Sequence, residues 1–176
     1  MNFYITSGTS DFMEKLITKF KKEAMYILYG IGETLLLHET EKKTVFQTPR
    51  KYEVIGKRNE IEQTGFFVLH HIPISDEGRP VFERYFLERI QGIEKKPGFI
   101  AFRLLRPKKS ETYIFLSQWT SKNSYEVWVK SSPIMNALGS ETVGVKKDNI
   151  FNAAIYTTTY SGVRPEKKDE KVPSNK

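Results

Sequence analysis

Residues 66–90, FFVLHHIPISDEGRPVFERYFLERI, decide how the rest of the chain is read. The first nine, FFVLHHIPI, are strongly apolar, β-branched or aromatic, with Gly65 before them and the chain-stiffening Pro73 near their end, which is the pattern of a strand. Val81, Phe82, Tyr85, Phe86, Arg89, Ile90 and Ile93 then recur at helical spacing, with Glu83, Arg84 and Glu88 between them. Pro80 suits the first turn of that helix, where its missing N–H costs nothing.

Downstream, Pro97-Gly98 punctuates the chain and FIAFRLLRP (99–107) reads as a strand stopped by Pro107. The polar turn KKSE joins it to a second strand, TYIFLSQW (112–119). Residues 123–130 form a helix that Ser121 or Asn123 can cap, and Ser132-Pro133 opens a short second helix. AAIYTTTYS (153–161) supplies the last strand. The order β-α-β-β-α-β predicts an α+β, ferredoxin-like unit over residues 64–163. Two helices cover one face of its four-stranded antiparallel sheet, so the other face needs a cover or a ligand.

Upstream, residues 1–63 are a weaker echo. Residues 2–7 alternate as a strand, and Phe12, Met13, Leu16, Ile17 and Phe20 make an amphipathic helix after a cap at Ser10. MYILYG and TLLLHET form a hairpin around residues 30–33, and TVF and KYEVIG add short extended pieces. This is βαββ without a second helix, a degenerate copy expected to cover the open sheet face of the following half. One chain would then do what a dimer partner does elsewhere, so a monomer is expected. Residues 164–176, RPEKKDEKVPSNK, are charged and aperiodic and read as a disordered tail.

Composition narrows the chemistry. No cysteine is present, which excludes disulfides, thiolate metal sites and a cysteine nucleophile, and fits a reducing cytoplasm. No apolar run reaches the ~20 residues of a membrane span, and the first residues show no export pattern. The net charge of +7 is spread among acids, as in EKKPG, so the expectation is a basic solvated surface rather than a nucleic-acid face; an anionic small ligand is the intermediate reading. There is no glycine-rich phosphate loop and no metal-ligand spacing.

Eight segments together carry a resemblance: LHET (37–40), TVFQTP (44–49), YEVI (52–55), GFFVL (65–69), EGRPVFE (77–83), PGF (97–99), RLLRP (103–107) and TY (159–160). In these the chain resembles the two-domain antibiotic-biosynthesis-monooxygenase (ABM) proteins, whose fold is ferredoxin-like, of the dimeric α/β-barrel type. That group includes heme-degrading monooxygenases and TRAP-type signal transduction proteins. The likeness runs from residue 2 to about 162.

The resemblance implies oxygen-dependent opening of a porphyrin, with heme as both cofactor and substrate and an external electron donor as partner. It also implies three site positions: a tryptophan against the porphyrin, which falls on Trp128; an asparagine near the open side of the iron, which falls on His70; and an iron-ligating histidine, which falls on Leu138. Leucine has no lone pair for iron, whereas His, Cys, Met and Tyr do. That leaves His70 as a candidate ligand from the opposite side and Met135 as a soft donor beside Leu138. On the strand, Val68, His70 and Ile72 share one face, while Leu69 and His71 share the other, so only one of the paired histidines faces the pocket.

As ordinary packing, Trp128 is a core residue on a helix, and His70 and His71 are a pair with one member buried and one exposed. His38 is read as structural. Arg103 and Arg106 point to opposite faces, and a nearby Arg or Lys would suit a propionate. Two alternatives accompany heme degradation: a non-catalytic TRAP-type protein that has lost the iron ligand, and a cofactor-free monooxygenase acting on a small aromatic.

Overall fold

The computed structural model describes residues 1–139 and 153–166. Eight strands lie in chain order with four helices: β1 (Asn2–Gly8), α1 (Ser10–Lys19), β2 (Met25–Tyr29), β3 (Thr34–Thr40), β4 (Arg50–Arg58), β5 (Phe66–Pro73), α2 (Arg79–Arg89), β6 (Phe99–Pro107), β7 (Thr112–Trp119), α3 (Lys122–Ser131), α4 (Pro133–Gly139) and β8 (Tyr156–Ser161).

The strands close into one barrel in the order β1-β3-β2-β8-β5-β7-β6-β4, every neighbour antiparallel. This differs from the expected layering of the first half over the sheet of the second. The two sets of strands share edges instead, β4 with β6 and β2 with β8, and the faces that would have been covered become the barrel interior. The short extended piece KYEVIG is in fact the core of a nine-residue strand, β4, that bonds to β1 on one side and β6 on the other. The last strand begins at Tyr156, later than its apolar lead-in implied.

Side chains alternate along each strand and fill the barrel, as eight strands permit. Phe3, Ile5, Leu35, Leu37, Phe67, Leu69, Ile114, Leu116 and Tyr160 form this interior. Outside it are two separate layers. Helix α1 packs with Tyr4, Met25, Ile27, Leu36 and Phe46 on the first half, while α2, α3 and α4 cover Ile72, Phe102, Leu104, Phe115 and Trp119 on the second. The cap of α1 is Thr9, whose hydroxyl accepts from the Phe12 N–H at 3.3 Å, one residue before the expected Ser10. Ser121 caps α3, and Ser132 precedes Pro133 at the start of α4.

One end of the barrel is sealed by residues 59–64. Gln118 Nε2 donates to the carbonyls of Glu62 and Thr64 at 2.7 and 2.8 Å. Gln63 Nε2 donates to the carbonyls of Ile27 and Gly162 at 2.8 and 2.7 Å. Arg103, 1% exposed, points inward and is held by Glu39, with Nε to Oε2 at 2.6 Å, and by the Asn59 carbonyl at 2.8 Å. Gly65 ends the plug at φ +75, where a Cβ would collide with the Trp119 carbonyl oxygen.

Arg106 points outward, bonded to Glu83 at 2.6 and 2.7 Å and to Glu53 at 3.1 Å. The expected tail is anchored at its start, since Arg164 pairs with Asp11 and Glu14. Residues 167–176 lie outside the described residues.

Candidate functional site

The outer face of β5 and β7, under α3 and α4, brings most of the sequence-derived residues together. His70 projects from β5 to this side, as the alternation of the strand requires. It lies nearly parallel to Phe115 of β7, centroids 5.7 Å apart at 14°. Tyr125 of α3 reaches down to it, Oη to Nε2 at 3.3 Å, and Thr157 of β8 engages Nδ1 at 3.1 Å. Both ring nitrogens are therefore occupied. Burial pushes the His70 imidazole down to about 4, with a smaller contribution from His71, so the ring is neutral near pH 7. Burial also lifts the Tyr125 hydroxyl to about 12, with Glu126 adding to it.

Trp128 lies one turn along α3 from Tyr125 and is 5% exposed. Its indole is 5.1 Å from that of Trp119, 6.2 Å from Phe115 and 6.2 Å from Tyr125. His70 and Trp128 thus meet through Phe115 and Tyr125. Met135 and Leu138 stand on α4 at the edge of the same cluster, half-buried, with Ile134 fully inside it.

The paired histidines depart from expectation in one respect: both are buried, His70 6% and His71 5% exposed. His71 faces the barrel. It stacks on Tyr156 at 4.3 Å and 5°, and its Nε2 bonds to the Thr158 hydroxyl at 2.8 Å. Burial, then Arg50, pushes His71 down to about 4, with Glu33 opposing. His38 is buried on the outer face of the first half, bonded to Thr44 and Glu23 at 3.0 Å each. Among the described residues, no group of three or more His, Asp or Glu side chains is placed to hold a metal ion.

Sequence reading missed Tyr125, Phe115 and Thr157. Tyr125 was within reach, because a residue three positions before Trp128 shares its helix face. Phe115 and Thr157 depend on strand register, which has no local signal.

Within the α+β, ferredoxin-like second half, residues 65–137 match the antibiotic biosynthesis monooxygenase (ABM) family. Among characterised relatives, the chain is 25% identical over 136 residues to the signal transduction protein TRAP of Staphylococcus epidermidis, covering 77% of this chain and 81% of that protein. It is 23% identical over 128 residues to a heme-degrading monooxygenase of Listeria monocytogenes, covering 73% and 77%. Two solved structures share the fold. A major regulator of staphylococcal pathogenesis superposes with TM-score 0.82 at 21% identity, over 93% of this chain and 100% of that one. The heme-degrading enzyme of Listeria monocytogenes does so with TM-score 0.73 at 19% identity, over 92% and 99%. Among the described residues, no helix is long and apolar enough to cross a membrane.

Proposed function

We propose that this chain is a non-catalytic ABM protein of the TRAP type, which keeps the architecture of the heme-degrading relatives and acts by binding rather than by turnover. The observation that supports it is the packing of Trp128. A porphyrin-wall indole needs one open face, and this one is 5% exposed among Trp119, Phe115 and Tyr125.

Heme also needs an iron donor. Leu138, at the position the resemblance gives to the iron ligand, offers only hydrocarbon. His70 is the imidazole on this face, and both of its nitrogens are bonded within the protein. Arg106, a carboxylate-binding group on the same half, is already paired with Glu83 and Glu53. These residues do not fit a porphyrin, so no step of heme chemistry is assigned to them.

A second reading, a heme-degrading monooxygenase-like protein using His70 as donor, is favoured by one observation. The His70 ring is held neutral, and its Nε2 partner, the Tyr125 hydroxyl, is at 3.3 Å.

Titration of the full chain with hemin separates the two. The non-catalytic reading expects no saturable Soret shift. A saturable shift that His70→Ala abolishes, followed by loss of the band under oxygen and ascorbate, overturns it in favour of the second.

A further inference from the structure

The two halves cover their outer sheet faces unequally. The second half uses α2, α3 and α4; the first uses α1 and the irregular segment 41–49. Between that helix and that segment runs a groove of ≈ 610 Å³, whose apolar walls are Phe12, Met13, Leu16, Phe20, Val45 and Phe46. Phe12 is 59% exposed, a large ring turned toward the groove instead of into a core.

The far wall is fixed in place. The Thr44 hydroxyl accepts from the Phe46 N–H at 3.2 Å and bonds His38 Nδ1 at 3.0 Å, and the imidazole packs edge-on to Phe46 at 5.5 Å.

At Gln47 and Thr48 the groove adjoins a second cavity of ≈ 450 Å³, because both residues line both spaces. Here the lining turns basic, with Arg50, Lys51 and Lys109. Lys15 and Lys19 stand on the groove itself. The carboxylates on this side of α1 are engaged elsewhere, Asp11 and Glu14 by Arg164 at 3.1 and 2.9 Å. Both volumes lie within the roughly 300–1,000 Å³ of small-molecule sites, which combine apolar walls with a few placed polar groups.

We infer that the two cavities form one site for an amphipathic anion, with a single apolar chain along α1 and an anionic head, phosphate or carboxylate, at Arg50, Lys51 and Lys109. Burial of the chain supplies the non-directional attraction. The guanidinium and two ammonium groups set the sign and the end at which the head sits. The groove lies on the first half, only Lys109 and Ser110 of the head cavity come from the second, and neither cavity is lined by His70 or Trp128, so the site does not depend on how that face is read.

Calorimetric titration of the full chain with monomeric dodecyl phosphate tests this. Saturable 1:1 binding is expected, with dodecyltrimethylammonium and inorganic phosphate each at least about tenfold weaker. Amide shifts in a labelled sample should concentrate at Phe12, Leu16, Val45 and Phe46. Phe12→Glu, at an exposed position, should weaken dodecyl phosphate by about tenfold or more, and so should the Lys51→Glu/Lys109→Glu pair, which should leave decanol binding unchanged. Circular dichroism establishes that both variants fold.

No binding of dodecyl phosphate, equal binding of the cationic analogue, or unchanged affinity in Phe12→Glu overturns the assignment. So does flotation with phosphatidylglycerol vesicles in the absence of binding to the monomeric amphiphile, because it places the charge at a lipid surface rather than at the groove.

Discussion

The indoles of Trp128 and Trp119 lie 5.1 Å apart at 33°, one from a helix and one from the strand beneath it. This contact ties α3 to the barrel and makes Trp128 part of the core. Trp128→Ala should cost about 3–5 kcal/mol of unfolding free energy, the usual loss for a buried large aromatic. Trp128→Phe should retain most of it. Urea denaturation reads both. A near-neutral Trp128→Ala would mean that the indole stands against open space, as a ligand-binding wall would.

The iron-ligand position can be tested by restoration. Leu138→His with His70→Asn places an imidazole on α4 and removes the one on β5. The double variant should acquire a hemin-dependent Soret shift that the parent lacks. If parent and double variant titrate identically, Leu138 is not what separates this chain from heme binders.

Acid sensitivity follows from the paired histidines. His70 and His71 both sit at about 4 when folded, against an ordinary value of 6.5. The unfolded chain therefore takes up more protons than the folded one between these values. Stability is full above pH 6.5 and falls as pH drops toward 4, below which the slope from these groups ends. For His70 the loss across that window is on the order of 3 kcal/mol. Imidazole proton shifts that titrate near 6.5 in the folded protein would contradict this.

Inside the barrel, Arg103 and Glu39 are a desolvated pair. Glu39→Ala leaves a guanidinium buried with reduced compensation and should cost about 3–5 kcal/mol. Replacing both, Arg103→Met with Glu39→Leu, should cost much less, since the charges leave together. A chemical-denaturation cycle over the four proteins measures the difference. Additive single effects would mean that the pair is not coupled.

The strands and helices of the second half were legible because each carries its own period and its own stops: Pro80 at a helix start, Pro107 at a strand end, Ser121 at a cap. The inward and outward split of Arg103 and Arg106 was legible too, from alternation alone. Barrel closure was not. Nothing local in KYEVIG announces that it will bond to both β1 and β6, because edge pairing is decided by partners far apart in sequence, as at Tyr52 and Pro107. The burial of both His70 and His71 was missed for the same reason: alternation says that the two rings part ways, but only a closed barrel gives the second one an interior to enter.

Strand β8 joins β5 along most of its length and meets β2 at the single pair Tyr29 and Ser161. It is also the latest of the eight to be synthesised. Until it arrives, a nascent chain holds β2 and β5 with their hydrogen-bonding rims bare, and these are the strand edges that recruit wrong partners. The thin seam at Tyr29 is correspondingly the place where the finished wall should unzip first, and amide exchange there should run ahead of the β5–β7 ladder.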